Sequence, residues 1–247
     1  MKNSWFAYIK INEDNNKIKI SGIKFKEFIQ GIAEKPKNLL ILSGDPANSE
    51  IDIEWNLEYI SNYNLSEFYK EEVYDFGDFH WIDFEEEYNL NKIDKSDLAK
   101  ILYFNHKCTP FDTFLFESLN NKYAYFAHDD DYRVDIYMKN IEDYKQVINH
   151  KILKEFKGRK KNIASLPQEI LDYIYDLCKY GIVIDFEKLS YDSVNIYSIG
   201  DIGFVEEAHE KLDKCRRTLR GVSLSYDNRK KTWCVYDWSK RRYPLEV

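Results

Sequence analysis

Two groups of acids and histidines are the first residues in this sequence whose types and spacing could do chemistry. Asp75, Asp78, His80, Asp83, Glu85, Glu86 and Glu87 form one. His128, Asp129, Asp130, Asp131 and Asp135 form the other. Hard divalent cations are held by several carboxylate oxygens brought close together, and bound cations can drive phosphodiester cleavage. On that reading His128, Asp129, Asp131 and Asp135 are metal ligands of a hydrolase acting on nucleic acid or a nucleotide. The same acids also read as a solvated surface, with Asp83, Glu85, Glu86, Glu87 and Asp130 facing a basic partner and speeding its approach. Neither group has the D-x-D-x-D-G spacing of a calcium loop.

A third group is basic. Arg216, Arg217, Arg220, Lys230 and Lys231 are candidate phosphate contacts, with Lys211, Lys214, Arg229, Lys240, Arg241 and Arg242 close by in sequence. Trp233, Tyr236, Trp238 and Tyr243 are interleaved with them. Phosphates are met by Lys and Arg, and bases stack on aromatic rings. Strand alternation assigns most of these rings to the core, and Arg216 and Arg217 to the exposed face of an amphipathic helix. His106, Cys108 and Asp112 could make a thiol nucleophile and its base; a loop histidine beside a buried thiol is the ordinary alternative.

Familiar catalytic signatures are absent. The sequence holds neither G-x-G-x-x-G nor G-x-x-x-x-G-K-[ST], no G-x-S-x-G elbow, no kinase set and no H-E-x-x-H. Its 9 glycines disfavour a phosphate-cradling loop. The four cysteines Cys108, Cys178, Cys215 and Cys234 include no C-x-x-C pair, which is the pattern of reduced cytosolic thiols. With no apolar run long enough to span a bilayer and no signal-like start, a cytoplasmic location is expected. Abundant Asn, Lys, Ile and Tyr suit an AT-rich bacterial or phage genome.

The elements that must position these residues are legible in part. The 247 residues carry 43 acids and 36 bases, a net charge of −7, with 16% aromatics. Residues 1–150 hold 28 acids and 17 bases, net −11; the remainder is +4. The shift falls in the basic stretch 151–161. It suggests an acidic α+β domain over 1–160 and a smaller basic α+β domain over 161–247.

Residues 5–11 and 17–22 predict a hairpin, 24–33 a helix, 39–42 a buried strand and 95–104 a helix. A hairpin follows over 122–138, its second strand alternating with period two. Asn140 is placed to cap the next helix. Ser165, Pro167 and Gln168 predict a capping box and a first-turn proline, with Ile170, Leu171, Ile174, Leu177 and Cys178 on the buried face. A helix over 202–220 ends at Gly221, read as its left-handed C′ residue, and a hairpin over 222–238 closes the chain.

The run Leu166-Pro167-Gln168-Glu169-Ile170-Leu171, with Ile174 and Leu177, is similar to the opening of an F-box. A capped amphipathic helix accounts for the same residues, and no property of that family is carried over.

The expected fold is therefore α+β, with small mixed or antiparallel sheets flanked by amphipathic helices in two subdomains. The leading expectation for function is a non-enzymatic binding protein, an immunity or anti-defence inhibitor that engages a basic partner through its acidic surface. No cofactor is expected on that reading. A metal-dependent hydrolase and a nucleotide or nucleic-acid binder are the alternatives.

Overall fold

The computed structural model describes residues 6–42, 57–70, 80–85, 121–128, 133–157, 163–190, 193–218 and 220–247. The expected helix at 95–104, the His106, Cys108 and Asp112 set and part of the basic stretch lie outside them.

The strands are β1 (Phe6–Asn12), β2 (Lys17–Ser21), β3 (Asn38–Leu42), β4 (Leu57–Ile60), β5 (His80–Phe84), β6 (Tyr123–His128), β7 (Arg133–Met138), β8 (Ile182–Ser190), β9 (Ser193–Ser198), β10 (Val222–Asp227), β11 (Thr232–Asp237) and β12 (Arg242–Glu246). The helices are α1 (Phe25–Gly31), α2 (Leu65–Phe68), α3 (Tyr144–Lys157), α4 (Gln168–Cys178) and α5 (Val205–Thr218).

The expectation of small sheets flanked by helices is overturned. Among the described residues, twelve strands follow a single hydrogen-bonded order, β12-β11-β10-β9-β8-β1-β2-β7-β6-β5-β3-β4. The ladders β1·β8, β8·β9, β9·β10 and β10·β11 are antiparallel, as are β3·β4, β3·β5, β5·β6 and β6·β7. The hairpins were readable from local alternation. The joining of β1 to β8, with Phe6 opposite Asp185 and Tyr8 opposite Val183, is a pairing of distant segments on which local periodicity is silent. An open strand edge presents unpaired N–H and C=O groups to any compatible strand.

Contacts divide the chain into two compact units, each discontinuous in sequence. The first comprises residues 1–11, 19–33 and 142–247, and the second 12–18 and 34–141.

In the first unit, register partners share a sheet face. Phe6, Tyr8, Val183 and Tyr197 therefore lie on one face, where Ile202, Ala208 and Leu212 of the α5 segment cover them. The alternate positions Ile184, Ile196, Leu224, Val235 and Trp233 face the other way. There the Trp233 ring meets Phe156 of α3 edge-on at 5.3 Å, and its Nε1–H donates to the Ala164 carbonyl. Helix α3 buries Tyr144, Ile148 and Ile152 as its spacing predicts.

Two terminus expectations are corrected. The N-cap of α4 is Pro167 and makes no side-chain cap bond; the Pro167 carbonyl instead accepts from the Ile170 and Leu171 N–H groups. Gly221 does not adopt the left-handed conformation. A Cβ there would lie 2.5 Å from the Ile196 carbonyl oxygen, so glycine is needed for close approach of β10 to β9.

In the second unit, β5 is buried along its whole length. Trp81 stacks on Tyr125, its register partner, with centroids 5.5 Å apart and planes 9° from parallel. Leu39, Val134 and Ile136 are buried on the same sheet face, and Leu40 and Ile82 are buried on the other.

Candidate functional site

The acids singled out in the second unit perform structural tasks where they are described. Asp83 is buried, and its carboxylate accepts the N–H groups of Lys122 at 2.9 Å and Tyr123 at 2.6 Å. Burial pushes its pKa up to about 6, against the lowering effect of those bonds. Glu85 accepts from Lys37 at 2.8 Å and pairs with Lys122 at 2.6 Å; Lys122 also pairs with Glu34. Those lysines hold Glu85 well below the usual carboxylate range. Asp135 is buried and paired with Lys17 at 2.9 Å.

His80 is buried and lies in β5, and His128 ends β6. Asp75, Asp78, Glu86, Glu87, Asp129, Asp130 and Asp131 lie outside the described residues. Among the described residues no three His, Cys, Asp or Glu side chains converge on a site for a metal ion. Cys178, Cys215 and Cys234 are free thiols, and burial raises the pKa of each.

The basic candidates in the first unit differ sharply from one another. The Arg216 guanidinium binds Asp185 with two parallel bonds, Nε to Oδ2 at 2.8 Å and Nη2 to Oδ1 at 2.7 Å. Glu187 and Asp213 also flank it. Its charge is therefore compensated by carboxylates, and the Asp185 side chain it serves is fully buried. Lys230 pairs with Glu246 at 2.9 Å. Arg217, Arg220 and Lys231 are exposed.

The most developed surface lies beside α5, on the sheet face that this helix only partly covers. Cross-strand register sets Asp185, Asn195, Ser223 and Tyr236 in one row across β8, β9, β10 and β11. At the end of that row three rings converge. Tyr236 meets Trp238 edge-on and Tyr243 at a steep tilt, each with centroids 4.9 Å apart. Trp238 is 44% exposed and Tyr243 60% exposed.

The Trp238 Nε1–H donates to the Ser223 hydroxyl at 2.7 Å, and that hydroxyl donates to Asn195 Oδ1 at 2.6 Å. Two residues along β9, Tyr197 packs beneath α5. Bonds from side chain to side chain thus fix a half-open indole to two strands. The Trp238 N–H also donates to the Gly221 carbonyl at 3.1 Å, which draws Arg220 alongside in the chain.

No protein-family profile matches the chain, nor does any curated protein or solved structure. Geometry alone must therefore carry the reading of this surface. Sequence reasoning named the rings but assigned most of them to the core; Trp233 is in the core and Trp238 and Tyr243 are not. It missed Ser223 and Asn195. Their only sequence signal is polar residues at alternate strand positions, which marks a face without saying what lies on it.

Proposed function

We propose that the chain is a non-enzymatic binding protein, an inhibitor of the immunity or anti-defence kind, whose acidic unit engages a basic partner protein. The carrying observation is the division of charge between the two units. The second unit holds 25 acids and 11 bases, net −14, whereas the first holds 18 acids and 25 bases, net +7. A cut near residue 150 separates only −11 from +4, so grouping by contact concentrates each sign further. A surplus of one sign steers an oppositely charged partner and sets which partners are repelled. Glu13, Asp14 and Glu58 are exposed acids of this unit.

The test is capture of partners from source-cell lysate at low ionic strength, followed by elution with salt. A stoichiometric basic partner is expected, released as salt rises and lost when Glu13, Asp14 and Glu58 are all changed to Lys. A chain that elutes alone at low ionic strength overturns the reading.

A further inference from the structure

We infer that the sheet face carrying Asn195, Ser223, Tyr236, Trp238 and Tyr243 is a binding site for single-stranded nucleic acid. This site lies in the basic unit and is independent of the acidic surface described above.

Three observations converge on it. The first is exposed ring area in one place. Trp238 and Tyr243 stand 44% and 60% exposed around the more buried Tyr236. A base has an apolar π-face of its own, and stacking on a protein ring needs no particular sequence.

The second is preorganisation. An exposed tryptophan on a turn ordinarily samples several rotamers, and fixing it on binding costs conformational entropy. Here Ser223 and Asn195 hold the indole through a continuous chain of hydrogen bonds, and the Tyr236 edge braces it. A ring already fixed in an open position receives a flat ligand without that cost.

The third is charge. The unit is +7 overall. Arg220 precedes the Gly221 carbonyl that accepts the Trp238 N–H, and Lys240 and Arg241 form the turn between Trp238 and Tyr243. All three side chains are exposed, and of them Lys240 also pairs with Asp237 at 3.4 Å. Cationic side chains bordering stacked rings match a polymer of alternating phosphate and base. Glu246 on the last strand is offset by its pair with Lys230.

The strand must be single. In a duplex the base faces are covered by their neighbours, and only edges and backbone reach the protein. The small side chains of Ser223, Ser225 and Asn195 stand in register beside the rings, and Ser223 is engaged in holding Trp238.

The experiment uses the full chain and fluorescence anisotropy with labelled oligothymidylate and oligouridylate of about 20 nucleotides. A duplex of the same length and heparin serve as competitors. Single strands are expected to bind more tightly than duplex, and heparin to compete only in proportion to its charge. Trp238→Ala and Tyr243→Ala should each weaken single-strand binding by roughly five- to 150-fold, the range for loss of one stacking ring, and leave duplex binding unchanged.

Trp238→Phe should restore only part of the affinity, because phenylalanine keeps a stacking face but lacks the N–H that Ser223 holds. Tyr243, the more exposed ring, keeps the test decisive if Trp238→Ala does not fold. Equal binding of duplex and single strand overturns the inference, as does full retention of affinity in Tyr243→Ala. A chain that binds no oligonucleotide at low salt overturns it too, and leaves the rings as a protein-binding surface.

Discussion

Trp238 and Ser223 are joined by a 2.7 Å hydrogen bond from the indole nitrogen to the hydroxyl oxygen. The bond links the segment after β11 to the start of β10. It makes Ser223, itself buried, the anchor of a ring that is half open to solvent. Replacing Ser223 with Ala removes both bonds of that hydroxyl and leaves Asn195 Oδ1 without its donor. A loss of about 1–2 kcal/mol is expected in urea unfolding, the usual scale for such bonds. The Trp238 indole N–H resonance should move toward its solvent-exposed position. An unchanged resonance would show that the ring is placed by packing alone.

The buried ion pair of Arg216 and Asp185 predicts a stability effect. Arg216→Ala leaves a fully buried carboxylate without its guanidinium, at a cost of about 3–5 kcal/mol. Arg216→Lys should recover little, because an ammonium cannot reproduce the two parallel bonds. Arg217→Ala, on the exposed side of α5, should change stability by less than about 0.5 kcal/mol. Thermal unfolding of the three variants makes the comparison.

A second buried pair ties α1 to α3. Glu27 accepts both oxygens' bonds from Lys151 at 3.0 Å, and Lys154 adds a third at 2.9 Å. Burial would raise the Glu27 pKa, but the two lysines outweigh it and lower it. Lys151→Met should destabilise by about 3 kcal/mol. The double variant Glu27→Gln, Lys151→Met should lose less than the sum of the two single changes. A double-mutant cycle in urea reads this coupling, and strict additivity would show that the pair is not coupled.

Asp83 makes the stability of the second unit depend on pH. Its folded pKa of about 6 lies above the ordinary 3.8. Between those values the folded state holds more protons than the unfolded one, so stability falls as pH rises through the window. The full loss is on the order of 3 kcal/mol. Glu27, Glu85 and Asp201 have lowered values, so their contributions are lost as pH falls from the ordinary carboxylate range, which overlaps only the lower end of the window. Urea midpoints from pH 4 to pH 7 should therefore show a declining component that Asp83→Asn removes. An identical slope in that variant would exclude Asp83 as its source.

Much of the local structure was legible. The alternation of Val134, Ile136 and Met138 with Arg133, Asp135 and Tyr137 marks the strand β7, but Asp135 and Tyr137 are buried too, so the strand is covered on both faces and not half-buried. The apolar spacing of Ile141, Tyr144, Ile148 and Ile152 marks the buried side of the turn and helix that follow. Gly221 was singled out for the wrong reason. It was read as a left-handed helix stop, but the constraint on it is the Ile196 carbonyl of a neighbouring strand. The acids were read from their types alone. Asp83 and Asp135 carry charge in sequence, yet both are buried, because a carboxylate with a backbone N–H or a lysine at hand can be taken into the fold.

By itself the sequence determined the longer described helices and the hairpins at 6–21, 123–138 and 222–237, since their signals are periodic and extend over a few neighbouring residues. It also determined the charge that each segment would bring. Only the tertiary structure decided that Phe6 would pair with Asp185, and which acids would be spent on buried contacts. It alone set Asn195, Ser223 and Tyr236 in a row beneath Trp238. Strand pairing is made by backbone groups common to every residue, so its partners are chosen by the packing of the whole sheet. The aromatic face depends on that choice, because its rings lie within residues 236–243 while Ser223 and Asn195, which hold Trp238, come from two other strands.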